Sequence, residues 1–500
     1  MNWRLLTSVA LVAALSIVGC SDDSDNGTGG AGGDGGSGGA GGSAPKGCDD
    51  IPDTTSYIVQ GAPETSSEDC TPELTLDATG ANDQAQILEA IEQAGSNGVV
   101  CLNAGEYVMG GTVDITTAPG LTLKGIGDSP DDVVLEYANE SGECQGNQGI
   151  NVTVDDVTIE NMWVRNTCEN AVVQRGTNGS VFRKVRVSWD GTPRVENGAY
   201  GVYPTDCSNT IVEYCQTQGA SDAGVYVGKC DGGSVHDNVI YENVAGLEVE
   251  NCQNVETFNN EIFDNTGGLL ALQQDISSEM QSNGNVRLFD NEVYCNNREN
   301  FAQPGSAVSG IPVGTGGLSF GGDGIEFFGN EFTDNAAFAL GLAANLLTCQ
   351  VASSDCPPYT EGYDPYVQNV YIHDNFYENN GYNPTGDFGD LFNQLGFGGE
   401  DNPPVPNTVW DGYQPLACDD ASENAGDPCF SNDDCPDGAC AVAASGPNDA
   451  GICLGTDAET ASSILVIGDP CSNLSLNLLE YVGCARMNSI DVNDDFLCAP

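Results

Sequence analysis

The stretch NVIYEN, residues 238–243, returns as NEIFDN at 260–265, NEVYCN at 291–296, NEFTDN at 330–335 and NFYENN at 375–380. A weaker copy, NMWVRN, occupies 161–166. Counted from Asn238, successive copies lie 22, 31, 39 and 45 residues apart. A base turn of 22 residues lengthened by insertions explains this series, whereas a propeller blade keeps an even period. An alternating strand precedes each later copy: Val255-x-Thr257, Val286-x-Leu288, Ile325-x-Phe327 and Val370-x-Ile372. Another set of short strands follows a glycine, at Gly201-Val202, Gly224-Val225, Gly246-Leu247, Gly268-Leu269 and Gly317-Leu318. Three short strands per turn with no helix between them predict an all-β, single-stranded parallel β-helix, in which each repeat buries its apolar face only against its neighbours. The recurring asparagines then stack as an internal ladder with rungs about 4.8 Å apart. Their competing explanation is a general preference for turns, but their regular place before an apolar residue favours the ladder.

The cysteines follow the same register. Cys207, Cys230 and Cys252 each end a glycine-led strand, which puts them on successive rungs within disulfide reach. Two can pair, and the third needs a partner elsewhere. Upstream, Asp83 with Gln86 three residues on reads as a helix start. Ile87, Leu88, Ile91 and Ala94 make one apolar face, and the run Gly95 to Gly98 ends it.

The segments NDQAQI (82–87), VVCLNAGEY (99–107) and LTLKG (121–125) resemble the N-terminal cap and first turns of right-handed, pectin-lyase-like β-helices. GVYPTDC (201–207), GASDAGVYVGKC (219–230), NVAGLEVENC (243–252) and NTGG (265–268) are similar to a family of exported bacterial parallel-β-helix-repeat proteins, many of them lipoproteins without an established activity. The likeness covers about 75–420 and the final DDFLCAP, residues 494–500. It implies a right-handed coil with a short N-terminal capping helix, and polysaccharide as the partner. The polygalacturonase pattern of NTD, DD, GHG and RIK is absent, as is the DPH signature of alginate epimerases. Neither set of catalytic residues carries over.

The ends of the chain carry other signals. Arg4, the apolar run Leu5 to Val18 and Ile17-Val18-Gly19-Cys20 resemble a lipoprotein signal peptide (1–19), which implies acylation of Cys20. Residues 20–47, rich in Gly, Ser and Asp, then read as a flexible tether. The β-helix is expected over 48–417, followed by a Cys-rich region at 418–500, in which 418–470 is a disulfide-held insertion and 471–500 returns to the body. Asp433, Asp434 and Asp437 in that insertion suit a solvated loop better than a calcium loop. Without Cys20 there are 20 cysteines, enough for up to ten disulfides, and no CxxC pair that would suggest zinc. The chain carries 74 acidic and 13 basic residues, a net charge of −61. Such a charge excludes nucleic acid and leaves membrane contact to the lipid alone. A monomer is expected.

Alternation along the glycine-led strands predicts an exterior column of Tyr203, Tyr226, Glu248, Leu270 and Ser319. Thr205, Gly228 and Glu250 lie two residues further on, Arg175 sits beside Thr205, and Asp206, Lys229 and Asp222 stand at the strand ends. Seven of the 13 basic residues, Arg165, Arg175, Arg183, Lys184, Arg186, Arg194 and Lys229, fall within 65 residues. Either they receive an anionic sugar on this face, or they pair with Glu169, Asp190, Glu196, Asp206, Glu213 and Asp222. The catalytic expectation is uronate β-elimination. Arg175, or calcium held by Glu248 and Glu250, neutralises the carboxylate; Lys229 or a tyrosine is the base, and Tyr203 or Tyr226 the acid. Asp206, Asp222, Glu248 and Glu250 join Arg175, Tyr203 and Tyr226 in substrate binding. One alternative is an inverting hydrolase using Glu248 and Glu250, about 7 Å apart at two strand steps. The other is a non-catalytic carbohydrate-binding or adhesive surface. His236 and His373 align with Phe258, Phe289 and Phe328 as a corner stack, and no catalytic role is assigned to them.

Overall fold

The computed structural model describes Cys48, residues 51–275, 283–345, 363–399 and 402–410, and the backbone of four short strands between 416 and 466. Cys20, the segments 1–19 and 20–47, the acidic run at 433–437 and the tail 471–500 lie outside the described residues.

The chain winds as a right-handed parallel β-helix, the hand favoured when a twisted strand crosses over to a parallel neighbour. One coil contains the strands Ser208–Glu213, Gln216–Gln218 and Ala223–Gly228, and the next contains Asp231–His236, Val239–Tyr241 and Ala245–Glu250. These define a first, second and third wall. Coils pair in register, His236 beside Phe258, Tyr241 beside Phe263 and Glu250 beside Leu272. Inward Val, Ile, Leu and Phe side chains form one continuous core along the axis.

Each corner has a local cause. Asp237, Asn259, Asp290 and Asp374 have positive φ, as do Glu242, Asp264, Cys295, Asp334 and Asn379 at the next corner. Asp and Asn tolerate that left-handed conformation best among non-glycine residues, and each bend is followed by an inward asparagine. Asn238 Nδ2 donates to Asn260 Oδ1 at 2.8 Å, and the chain of amides continues through Asn291 and Asn330 to Asn375. The sixth letter of each hexapeptide builds a second ladder, Asn243, Asn265, Asn296, Asn335 and Asn380. Backbone carbonyls take the remaining amide protons, as Val235 O does from Asn260 Nδ2 at 2.9 Å. The glycines make room for this: a Cβ on Gly246 would lie 2.6 Å from Gly268 O and 3.0 Å from Asn265 Nδ2. The weak copy joins neither ladder, since Asn161 donates to Gly125 O and Gly127 O. At the first corner, His236, Phe258, Phe289, Phe328 and His373 stack ring on ring.

Several expectations need correction. Cys207 and Cys230 form a disulfide, but Cys252 on the next rung remains a buried thiol, as does Cys215. Cys252 needs no partner because its sulfur accepts the Cys230 N–H and donates to Val227 O. Pairing is therefore less than complete; the other described bridges are Cys48–Cys295, Cys70–Cys101 and Cys144–Cys168. The capping helix spans Gln84–Ala94 and buries Ile87, Ala90 and Ile91. Asp83 makes no cap bond to it, because its carboxylate is occupied by Thr79 N, Val108 N and Gln86 Nε2. A second helix, Gly386–Gln394, was not foreseen; its Phe388 and Phe392 pack near Phe338 on the third wall.

The coil also continues beyond 417. Strands Cys453–Leu454 and Ile464–Val466 pair in parallel with Gln368–His373 and Thr408–Trp410. Leu416–Cys418 also pairs antiparallel with Cys440–Val442.

Two segments lie against the outside of the coil. The N-terminal arm crosses the second wall, seating Ile51, Tyr57, Ile58 and Val59 on Val239, Tyr241, Phe263 and Tyr294. Residues 297–314 cover the third wall, where Phe301, Ala302, Val308 and Ile311 pack on Tyr226, Leu270 and Leu272.

Candidate functional site

The third wall carries the predicted column one rung at a time. Tyr226 lies beside Glu248, and Glu248 beside Leu270, as the alternation requires. The column then passes to Leu318, not Ser319: Leu269 pairs with Gly317, so the last strand is shifted by one residue from the expected alignment. Ser319 stands beside the inward Ala271 and is fully buried.

These residues face outward from the coil yet are not exposed. The 297–314 cover leaves Tyr226, Glu248 and Glu250 only 6%, 2% and 8% accessible. Arg298 pins the start of this cover to the second corner through Glu242 and Asp264, at 2.7 and 2.6 Å. Asn300 Nδ2 then holds the Val308 and Ile311 carbonyls. The result is a polar island inside an apolar seal. Glu248 and Glu250 share a hydrogen bond. Glu250 also accepts from the Tyr226 hydroxyl at 3.1 Å and from Gln274 Nε2 at 2.9 Å. Gly228 makes the Tyr226 contact possible, since a Cβ there would lie 2.2 Å from the Tyr226 ring. The Tyr200 hydroxyl lies near Asp222 and opposes the rise that burial imposes on it. The second oxygen of Glu248 is buried without a hydrogen-bond partner among the described residues.

Tyr200, Tyr203 and Tyr226 pack together with ring centroids 4.4, 4.9 and 5.0 Å apart. Tyr203 remains partly accessible, and so does Asp222, which lines a cleft of about 410 Å³ with Ala199, Ser221 and residues 303–306. Burial and the charge of Glu250 push Asp222 up to about 7. Burial, then Asp222 and Glu250, hold Glu248 far above the usual carboxylate range. Burial raises Glu250 as well, against the lowering effect of its hydrogen bonds, that from Tyr226 first. The Tyr200 and Tyr226 hydroxyls are raised, chiefly by burial, and stay protonated.

The basic residues divide. Arg165, Arg183, Lys184 and Arg186 project from the longer sheet, away from the column. Arg165 pairs with Glu136 and Glu106, Arg183 with Glu213, and Arg186 with Asp131 while lying over Trp163. Lys229 is bound to Asp206 at 3.0 Å at the rim of the site. Arg175 stands beside Thr205 as expected, exposed and with no ion pair among the described residues. Its row continues through Gly228 to Glu250, so it is three rungs, about 14 Å, from that strand. The expected set of Arg175, Lys229, Tyr226 and Glu248 therefore does not converge, whereas Asp222, Tyr226, Glu248 and Glu250 do.

Two chemical expectations fall with this geometry. Hydrogen-bonded carboxyls leave no room for the water that an inverting pair needs between them. They do not suit calcium either: two carboxyls supply at most four of the roughly six to eight oxygens that a calcium ion takes. Among the described residues, no three His, Cys, Asp or Glu side chains are placed to hold a metal. Tyr226, kept protonated, serves as a hydrogen-bond donor and not as a base. Tyr200 escaped the sequence reading; its signal was a second ring three residues before Tyr203 on the same strand.

A family model described as right-handed β-helix region matches residues 139–283. No curated protein matches in sequence. Among solved structures, the chain is similar to the A-module of the Azotobacter vinelandii mannuronan C-5 epimerase AlgE4, with 16% identity, a TM-score of 0.44, and coverage of 66% of this chain and 90% of that one. The catalytic domain of Agl-KA gives 12% identity, a TM-score of 0.42, and coverage of 64% and 67%. An alginate lyase from Paenibacillus sp. str. FPU-7 gives 11% identity, a TM-score of 0.34, and coverage of 61% and 94%.

Proposed function

We propose that the protein acts on a polysaccharide at the third wall, with Asp222 transferring a proton in the cleft. The buried carboxyl island carries this reading. A β-helix wall gains nothing structurally from two buried acids and a half-buried third, and withdrawing them from water without full pairing costs free energy. Carboxyls perturbed in this way beside a cleft mark functional sites. An acid titrating near neutrality can both hold and release a proton at working pH. The partly open Tyr203, backed by Tyr200, offers an aromatic edge to the apolar CH face of a sugar. We place this activity at the cell envelope, outer membrane or surface, with the chain held by an acyl group on Cys20 and the tether that follows. Incorporation of labelled palmitate that disappears in Cys20→Ala tests that address.

A second reading, uronate β-elimination, is favoured by the free guanidinium of Arg175 next to the Tyr203 strand. Lys229 would have to leave Asp206 to act as its base. Incubation with neutral, amino and uronate polysaccharides separates the outcomes. New reducing ends without unsaturated-uronate absorbance, lost in Asp222→Asn, support the first reading. Rising absorbance that Arg175→Ala abolishes supports the second. Binding without either signal leaves a non-catalytic carbohydrate-binding or adhesive protein, and no binding at all overturns the proposal.

A further inference from the structure

On the third wall Lys229 is paired with Asp206, whereas among the described residues the acids of the island are in no ion pair; only the more distant charge of Lys229 acts on Glu250. Among the described residues no Lys, Arg or His forms an ion pair with Asp222, Glu248 or Glu250; the nearest ammonium, Lys229, is bound to Asp206. One Glu248 oxygen, in a residue 2% accessible, has no hydrogen-bond donor among the described residues. Three tyrosine rings lie against these acids, and aromatic faces attract cations through their negative quadrupole. The missing complement is a compact positive charge with several N–H donors.

Resting on the polysaccharide reading above, we propose that the island recognises the protonated amine of an amino sugar, so that the preferred substrate is a glycan with free ammonium groups. The ammonium enters the cleft beside Asp222, donates to it, lies near the Tyr200 and Tyr203 rings, and reaches the buried Glu248 oxygen as the 297–314 cover shifts. A uronate or an N-acetylated sugar cannot do this: the first adds a like charge, and the second carries no charge and fewer donors. On binding, the cation draws the carboxyls towards their ionised forms, so protons leave the site as the sugar arrives. No bond to carbon forms or breaks in this step. Binding weakens below neutrality, where Asp222 holds its proton.

Isothermal titration of the full chain with a glucosamine tetramer, its fully N-acetylated form and a uronate tetramer tests the inference. At neutral pH the free amine is expected to bind at least tenfold more tightly than the N-acetylated form, with the uronate weaker still. Glu248→Gln is expected to reduce the amine preference at least fivefold. Because that variant could misfold, the wild-type chain is also titrated in two buffers of different ionisation enthalpy, and net proton release with the amine supports the site. Equal binding of the amine and N-acetylated tetramers, or amine binding with no proton release, overturns the inference but leaves the polysaccharide reading intact. Failure of all three tetramers, and of the polymers named above, overturns both.

Discussion

The asparagine corners and the carboxyl island both bury polar side chains at the boundary of the coil, and they do so in opposite ways. In the ladders, from Asn238 to Asn330 and from Asn243 to Asn335, the amide protons and carbonyls find partners, and the oxygen of each rung also takes the backbone N–H of the rung below, as Asn291 Oδ1 does from Asn260. On the third wall, among the described residues, Glu248 keeps an oxygen without a partner, and three acids crowd together with no ion pair to a cation. A complete network contributes to stability, whereas an incomplete one costs stability and is retained for another reason. The contrast separates scaffold from site within a single coil.

The largest expected effect tests the complete network. Asn291→Ala removes the acceptor for both the side-chain and backbone N–H of Asn260 and breaks the bond to Asn330. A loss of about 3–5 kcal/mol in urea unfolding is expected, from at least two buried groups left unpaired. A loss below about 1 kcal/mol would show that the ladder is incidental.

The opposite sign is expected on the other wall. Glu248→Leu extends the apolar row of Leu270 and Leu318 and should gain about 1–3 kcal/mol at pH 8 while abolishing glycan binding. Much of that gain should vanish at pH 5. The acids of the island titrate higher folded than unfolded, so the folded state holds more protons and stability falls as pH rises between the two values. For Asp222 that window runs from 3.8 to about 7. A urea midpoint that falls across this range in the wild type, and falls less in Asp222→Asn, confirms the sign; a midpoint that rises refutes it. The smallest effect belongs to the rim. Lys229→Ala breaks a partly exposed pair with Asp206, and should cost less than about 1 kcal/mol at any pH.

The fold was legible because its rule is local and repeated. The hexapeptides carry both corner residues, the bend and the inward amide, so one text predicts one geometry five times. The site was legible only in part. Alternation placed Tyr226, Glu248 and Glu250 on the outer face correctly, but exposure depends on what docks there. The step from Asn291 to Asn330 shows that extra residues exist between those copies; it does not show that Val308 and Ile311 fold back over the acids. The shift at Leu318 has the same origin, since two adjacent glycines, Gly316 and Gly317, offer two equally good alignments. The bridge between Cys207 and Cys230 was a choice between neighbours that spacing alone leaves equal, and the free thiol of Cys252 follows from hydrogen bonding that spacing does not express. Of the two readings of the clustered basic residues, the structure follows pairing, Arg183 with Glu213, Arg194 with Glu196 and Lys229 with Asp206; they form no single face because closeness in the chain, in a coil with three walls, places residues on different sides.

The paired amide columns act as clasps that ignore how much chain hangs between them. A circuit closes on them after 22 residues or after 45, with the same contacts on either side. New excursions can therefore be inserted or exchanged between clasps without disturbing the coils above and below. The molecule is in this sense a rail on which interchangeable fittings are mounted, and the plate of residues over the acid island is one such fitting, free to diversify while the rail stays fixed.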